Sequence, residues 1–168
     1  MAAVQEVALT SCLNDITVWD VQTGSSLMTY RGDSAVATGG VSLLASQYVV
    51  AALQDKPLLR VWPVNSQQPL STPRFVCPGR VSLAQASPDG CHIAIAVLEK
   101  IHIFQVASGW LMWSGVRHLQ PIRVVKWSGD ISLVVCGGHD GLVTVWRLSQ
   151  APATPPSPRL VMADHTLP

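Results

Sequence analysis

Charged residues are scarce in this sequence. Asp, Glu, Lys and Arg make up 12% of the 168 residues against 48% apolar, and the formal net charge is +1. So little charge beside so much apolar side chain excludes a disordered chain and predicts many positions buried on both sides. The charges are scattered with no basic run, so there is no sequence-wide case for attraction to nucleic acid or to a membrane surface. Cysteine is also sparse. Cys12, Cys77, Cys91 and Cys136 stand far apart, with no C-x-x-C pair. That predicts buried thiols in a reducing compartment, not a disulfide framework. No basic segment precedes the first apolar residues of "MAAVQEVALTSC", so no signal peptide is expected. The longest uncharged run, Ser34 to Gln54, contains Gly39-Gly40 and three serines. It reads as two short strands, not as a membrane span. No stretch carries a helical period.

What the chain does carry is a longer period. "NDITVWDV" holds Trp19, "PLLRVWPV" holds Trp62, "EKIHIFQV" holds Phe104 and "DGLVTVWRL" holds Trp146, at spacings of 43, 42 and 42 residues. Each aromatic sits among Val, Ile and Thr, which suit a pleated, half-buried surface. Some nine residues earlier comes a second such segment: "EVALTSC", "QYVVAAL", "CHIAIAV" and "SLVVCGG". A third precedes three of these: "GVSLLAS", "RVSLAQAS" and "IRVVKWS". Turns such as Ser87-Pro88-Asp89-Gly90, Ser128-Gly129-Asp130 and Asp140-Gly141 separate them. A repeat of about 40–45 residues with four short strands is a propeller blade.

The expected fold is therefore all-β: a partial β-propeller of about four antiparallel blades, with the ring not closed. The blades fall at about 1–32, 33–78, 79–115 and 116–168, with a Pro-rich loop at 151–158. With strands lettered a to d, the first blade has b near Glu6–Cys12, c near Ile16–Val21 and d near Leu27–Tyr30. The second has a near Val41–Ala45, b near Tyr48–Leu53, c near Leu58–Trp62 and d near Arg74–Cys77. The third has a near Arg80–Gln85, b near His92–Val97, c near Ile101–Val106 and d near Trp110–Ser114. The fourth has a near Ile122–Trp127, b near Ser132–Cys136, c near Leu142–Arg147 and d near Arg159–Ala163. Strand a is missing from the first blade. Because the chain stops where a fifth strand a would begin, it reads as an N-terminal piece of a longer ring, with apolar faces open at both ends. Marginal stability, a covering partner or self-association is the expected consequence.

These residues resemble the WD-repeat family. Trp19-Asp20 matches its Trp-Asp dipeptide at the end of strand c, Asp140 its aspartate in the b–c turn, and His118 the histidine before strand a. His165 stands where the next such histidine is due. The resemblance implies that the aspartate ties its turn to the histidine while the tryptophan packs between blades, as a structural network and not a catalytic one. Trp62 is followed by Pro63, Phe104 replaces tryptophan, Trp146 is followed by Arg147, and Cys136-Gly137-Gly138 replaces the expected serine. These departures predict an incomplete network in every blade.

Further strings narrow the resemblance. They are "TYRG", "CPG", "ASPDG", "IHIFQVASG", "GGHDGLVTVW" and the Pro-rich insert before His165. Together they resemble the N-terminal half of a ribosome-assembly branch of the WD-repeat family. That implies a non-enzymatic scaffold in the nucleus and nucleolus, with the cytoplasm as a further location, serving rRNA processing within the rixosome and on pre-60S particles, without cofactor or metal. A WD-repeat adaptor of another complex, such as a ubiquitin-ligase substrate receptor, is the alternative.

Sharper readings of single motifs stand beside blander ones. "RGD" (Arg31-Gly32-Asp33) reads as an inter-blade loop, not as an adhesion signal. Cys136 and His139 lack the further ligands that zinc requires. His118, Ser128 and Asp140 name a triad, but no Gly-x-Ser-x-Gly turn presents the serine. "APATPPSP" is a solvated loop, a polyproline docking segment or a site for phosphorylation at Ser157. Lys56, Arg60, Arg74, Arg80, Arg123 and Lys126 meet RNA only if they cluster in space.

Overall fold

The computed structural model describes residues 6–71, 75–149 and 156–163. These form fifteen strands and no helix. The first sheet holds β1 (Val7–Cys12), β2 (Asp15–Asp20) and β3 (Ser26–Arg31). The second holds β4 (Val36–Leu44), β5 (Tyr48–Leu53), β6 (Leu58–Pro63) and β7 (Phe75–Val76). The third holds β8 (Leu83–Ala86), β9 (His92–Val97), β10 (Lys100–Gln105) and β11 (Leu111–Val116). The fourth holds β12 (Ile122–Trp127), β13 (Leu133–Gly138), β14 (Val143–Arg147) and β15 (Leu160–Met162). Each sheet is an antiparallel meander of consecutive strands. The first has no strand a among the described residues. The whole is a partial, unclosed propeller. Among the described residues no helix is long and apolar enough to cross a membrane.

β5, β9 and β12 coincide with the strands read from sequence. Two inner strands differ. β4 begins at Val36, and Gly39-Gly40 does not end it. Gly39 adopts φ +75° inside a bulge between Val36 and Val41, a backbone state that glycine takes without strain. β8 begins at Leu83, so Arg80 and Ser82 lie at the rim before the strand. Of the strand expected over Arg74–Cys77, Phe75–Val76 forms β7, while Arg74 lies outside the described residues.

Three apolar cores lie between successive sheets. Ile16, Val18 and Tyr30 meet Val49, Ala51 and Trp62. Val50, Val61 and Phe75 meet Ile93, Ile95 and Phe104. Ala94, Ile101 and Ile103 meet Val125, Cys136 and Trp146. Alternate residues of β5 and β9 serve different cores, which is why both strands are apolar on both faces. At every interface the strand-c aromatic meets a strand-d aromatic of the preceding sheet. Ring centroids are 6.0 Å apart for Trp62–Tyr30, 6.1 Å for Phe104–Phe75 and 5.8 Å for Trp146–Trp113. Such tilted and edge-to-face pairs add about 0.5–1.5 kcal/mol beyond the area they bury.

The two ends of the array differ, against the expectation of two apolar ends. Cross-strand neighbours Thr10, Thr17 and Thr29 share the outer face of the first sheet. Half-buried Trp19 lies on the same face, so this end is polar around one aromatic side chain. On the fourth sheet Val124, Val135, Val143, Val145, Leu160 and Met162 share the outer face, with Lys126 and Arg147 the two charges among them. That end is apolar.

Cys77 and Cys136 are buried, and burial pushes both thiols up to about 12. Cys12 and Cys91 are exposed, contrary to the expectation. Cys12 ends an edge strand and Cys91 leaves the β8–β9 turn.

Candidate functional site: a polar chain in the fourth sheet and a basic inner cleft

Asp140 opens the turn between β13 and β14, and His118 lies just before β12. Asp140 Oδ1 is 3.0 Å from His118 Nδ1 and accepts the Leu142 amide at 3.1 Å, while its Oδ2 accepts the Leu119 amide at 2.7 Å. Burial alone would raise the Asp140 carboxyl. The Leu119 amide, His118 and the Leu142 amide outweigh that and hold it at about 2. An ionised carboxylate only accepts, so His118 Nδ1 carries the proton. In the neutral imidazole His118 Nε2 accepts the hydroxyl of Thr144 at 2.9 Å, and Thr144 Oγ1 accepts the Trp146 indole N–H at 2.9 Å. Asp140, His118, Thr144 and Trp146 thus form one continuous chain of bonds, and Thr144 and Trp146 are fully buried.

The network expected to be incomplete is joined end to end here. Thr144 on strand c closes it. Thr144 and Trp146 share a face because they stand two apart on a strand, but Thr17-Val18-Trp19 has the same spacing without the network. The expected departure at Cys136-Gly137-Gly138 also has a use. A Cβ on Gly138 would lie 2.3 Å from His118 Nδ1 and 2.4 Å from Asp140 Oδ1, so only glycine leaves room for that bond.

The other repeats fill these positions differently. In the second sheet Lys56 stands where Asp140 does, Arg60 where Thr144 does, and Asp33 in the loop before strand a. Lys56 Nζ lies 2.6 Å and Arg60 Nη2 3.1 Å from Asp33 Oδ2. Both cations hold the Asp33 carboxyl far below its ordinary range. Trp62 Nε1 is buried with no protein partner among the described residues. In the third sheet His102 takes the threonine position and its Nδ1 meets Ser114 Oγ at 2.6 Å. Burial drives its pKa down to about 4, with Lys100 adding to the effect. Phe104 has no indole N–H to satisfy.

In the first sheet Trp19 is only half-buried, because its face carries no preceding sheet among the described residues. Its indole donates to Thr10 Oγ1 at 2.7 Å, and Thr17 pairs with Thr29 instead. Asp20 Oδ1 accepts the amides of Gln22 and Thr23 and so shapes the β2–β3 turn. His165 lies outside the described residues, as does most of the Pro-rich loop.

No family model matches the chain. Over its whole length it is 35% identical to WD repeat-containing protein 18 of Homo sapiens and 34% identical to that of Bos taurus. Together with the four-sheet architecture, this decides the family. The chain is a WD-repeat protein. It resembles WD repeat-containing protein 18 and spans 40% of the length of these relatives. It is also 25% identical, over 81% of the chain and 30% of the relative, to the pre-rRNA-processing protein crb3/ipi3 of Schizosaccharomyces pombe.

In this WD-repeat chain both charges of "RGD" are engaged internally. Arg31 pairs with Asp15 at 2.8 Å, and Asp33 holds Lys56 and Arg60. Ser128 Oγ binds Asp130 and the Leu133 carbonyl, while both nitrogens of His118 are taken by Asp140 and Thr144. The imagined triad is therefore not assembled. Among the described residues no three His, Cys, Asp or Glu form a group that could hold a metal ion.

The basic residues divide by environment. Lys56 and Arg60 are neutralised by Asp33. Arg80 and Arg123 instead line a cleft of about 550 Å³ at the inner rim, where the first residues of the innermost strands meet. Lys126 lines a separate recess beside Trp127.

Proposed function

We propose that this WD-repeat chain is part of a non-enzymatic protein-interaction scaffold in large ribosomal subunit assembly, acting in rRNA processing with the rixosome in the nucleus and nucleolus. The observation that carries the reading is similarity over the whole chain to WD repeat-containing protein 18, with a pre-rRNA-processing protein among the further relatives. The site geometry agrees with a scaffold. The polar residues that could suggest chemistry are used to hold loops against sheets, and what remains at the surface is a cleft and exposed sheet faces, the features that bind partners. Fold alone would not supply this role.

Affinity purification of the tagged chain from nuclear extract, followed by mass spectrometry, tests the reading. Recovery of rixosome subunits and pre-60S factors is the expected result. Recovery of a cullin adaptor in their place would instead favour a ubiquitin-ligase substrate receptor.

A further inference from the structure

We infer that the inner-rim cleft is a docking site for an acidic, leucine-containing peptide segment of a partner protein, held by Arg80 and Arg123. The inference rests on the scaffold reading but not on its assignment to ribosome assembly.

Arg80 precedes β8 and Arg123 lies in β12. Both are exposed, and neither forms an ion pair among the described residues. Lys56, Arg60 and Arg31, by contrast, are each matched by an aspartate. Two guanidinium groups therefore share one concave site with no carboxylate among the described residues that line it. Arg presents a planar fork of donors that fits a carboxylate with two bonds. The exposed Gln54 adds a neutral amide at the same rim.

The rest of the lining chooses the class of partner. Ala37, Val81, Leu83 and Ile122 give the cleft an apolar floor, which suits an aliphatic side chain set between acidic ones. Single-stranded RNA would call for aromatic platforms on which bases stack, and no aromatic residue is among the described residues that line the cleft. Two cations in a chain of net charge +1 are also too few for a phosphate-tracking groove. Charge complementarity with an apolar centre points to peptide.

The probe is a fluorescein-labelled Asp-Glu-Leu-Asp-Glu-Leu peptide, titrated with the 168-residue chain and followed by anisotropy. Asn-Gln-Leu-Asn-Gln-Leu and a labelled hexauridine serve as comparators. Saturable binding of the acidic peptide is expected, weakening as salt rises. Arg80→Ala and Arg123→Ala should each weaken it about threefold to tenfold, the double variant at least about tenfold, and Lys126→Ala not at all. Circular dichroism melts of all four variants should match the parent. Equal binding of acidic and neutral peptides overturns the inference. So does unchanged binding by a folded double variant, or hexauridine binding more tightly than the acidic peptide. None of these outcomes affects co-purification with rixosome subunits, so failure of the cleft and failure of the proposed function are separable.

Discussion

The second and fourth sheets place polar residues at the same repeat positions and reach opposite solutions. In the fourth, an imidazole before strand a meets a carboxylate in the turn between strands b and c, and a threonine carries the chain inward to the indole. The side chains of His118 and Asp140 are 1% and 7% exposed. In the second, the acid lies before strand a and the cation in the turn, and Arg60 replaces the threonine. The side chains of Asp33 and Lys56 are each 43% exposed. The buried set is satisfied bond by bond, while the exposed set relies on charge and leaves the Trp62 indole without a protein partner among the described residues. Buried networks lose heavily when one member is removed, because the others cannot recruit water. Exposed ion pairs lose little and are screened by salt. The same loop closure is thus made by buried bonds in one repeat and by exposed charges in another.

The sharpest way to break this contrast is Gly138→Ala. Its Cβ cannot coexist with the His118–Asp140 bond, so strain adds to a lost buried network. We expect a loss of roughly 3 kcal/mol or more, read by urea denaturation. Asp140→Ala comes next, at about 1–3 kcal/mol, because the Leu119 and Leu142 amides and His118 Nδ1 all lose their acceptor. Thermal melts coinciding with the parent would make Asp140 an ordinary surface turn residue. Thr144→Val keeps the shape but removes the hydroxyl that joins His118 to Trp146. We expect a loss of about 1–2 kcal/mol in the same assay, largely restored by Thr144→Ser.

Acid sharpens the contrast without mutation. The Asp140 carboxyl titrates at about 2 in the folded chain against 3.8 ordinarily. A depressed folded pKa contributes stability that is present above the unfolded value and lost as pH falls through the folded one. The melting temperature should therefore drop more between pH 4 and pH 2 for the parent than for Asp140→Ala. The smallest effect is expected from Asp33→Ala, at no more than about 1 kcal/mol and shrinking at high salt.

The 43- and 42-residue spacings exposed the sheet order because each aromatic anchor occupies the same strand-c position, and strand periodicity exposed most of the strands. The aromatic partners Tyr30, Phe75 and Trp113 were not legible. They occupy different offsets in short outer strands, and only packing across sheets sets them opposite the anchors. Gly39-Gly40 read as a break because a bulge and a turn make the same demand on glycine. His118 and Asp140 could be picked out by type and place, but Thr144 was hidden among residues that simply favour strands. In the second sheet Asp33 drew attention as part of "RGD", and Lys56 and Arg60 as basic residues. Nothing in linear order shows that all three belong to one cluster.

The most direct measurement is a pair of double-mutant cycles, one on His118→Ala with Asp140→Ala and one on Asp33→Ala with Lys56→Ala, each followed by urea denaturation. The account predicts a coupling of about 1–3 kcal/mol for the buried pair and under about 0.5 kcal/mol for the exposed pair. A second-sheet coupling equal to or larger than that of the fourth sheet would contradict it.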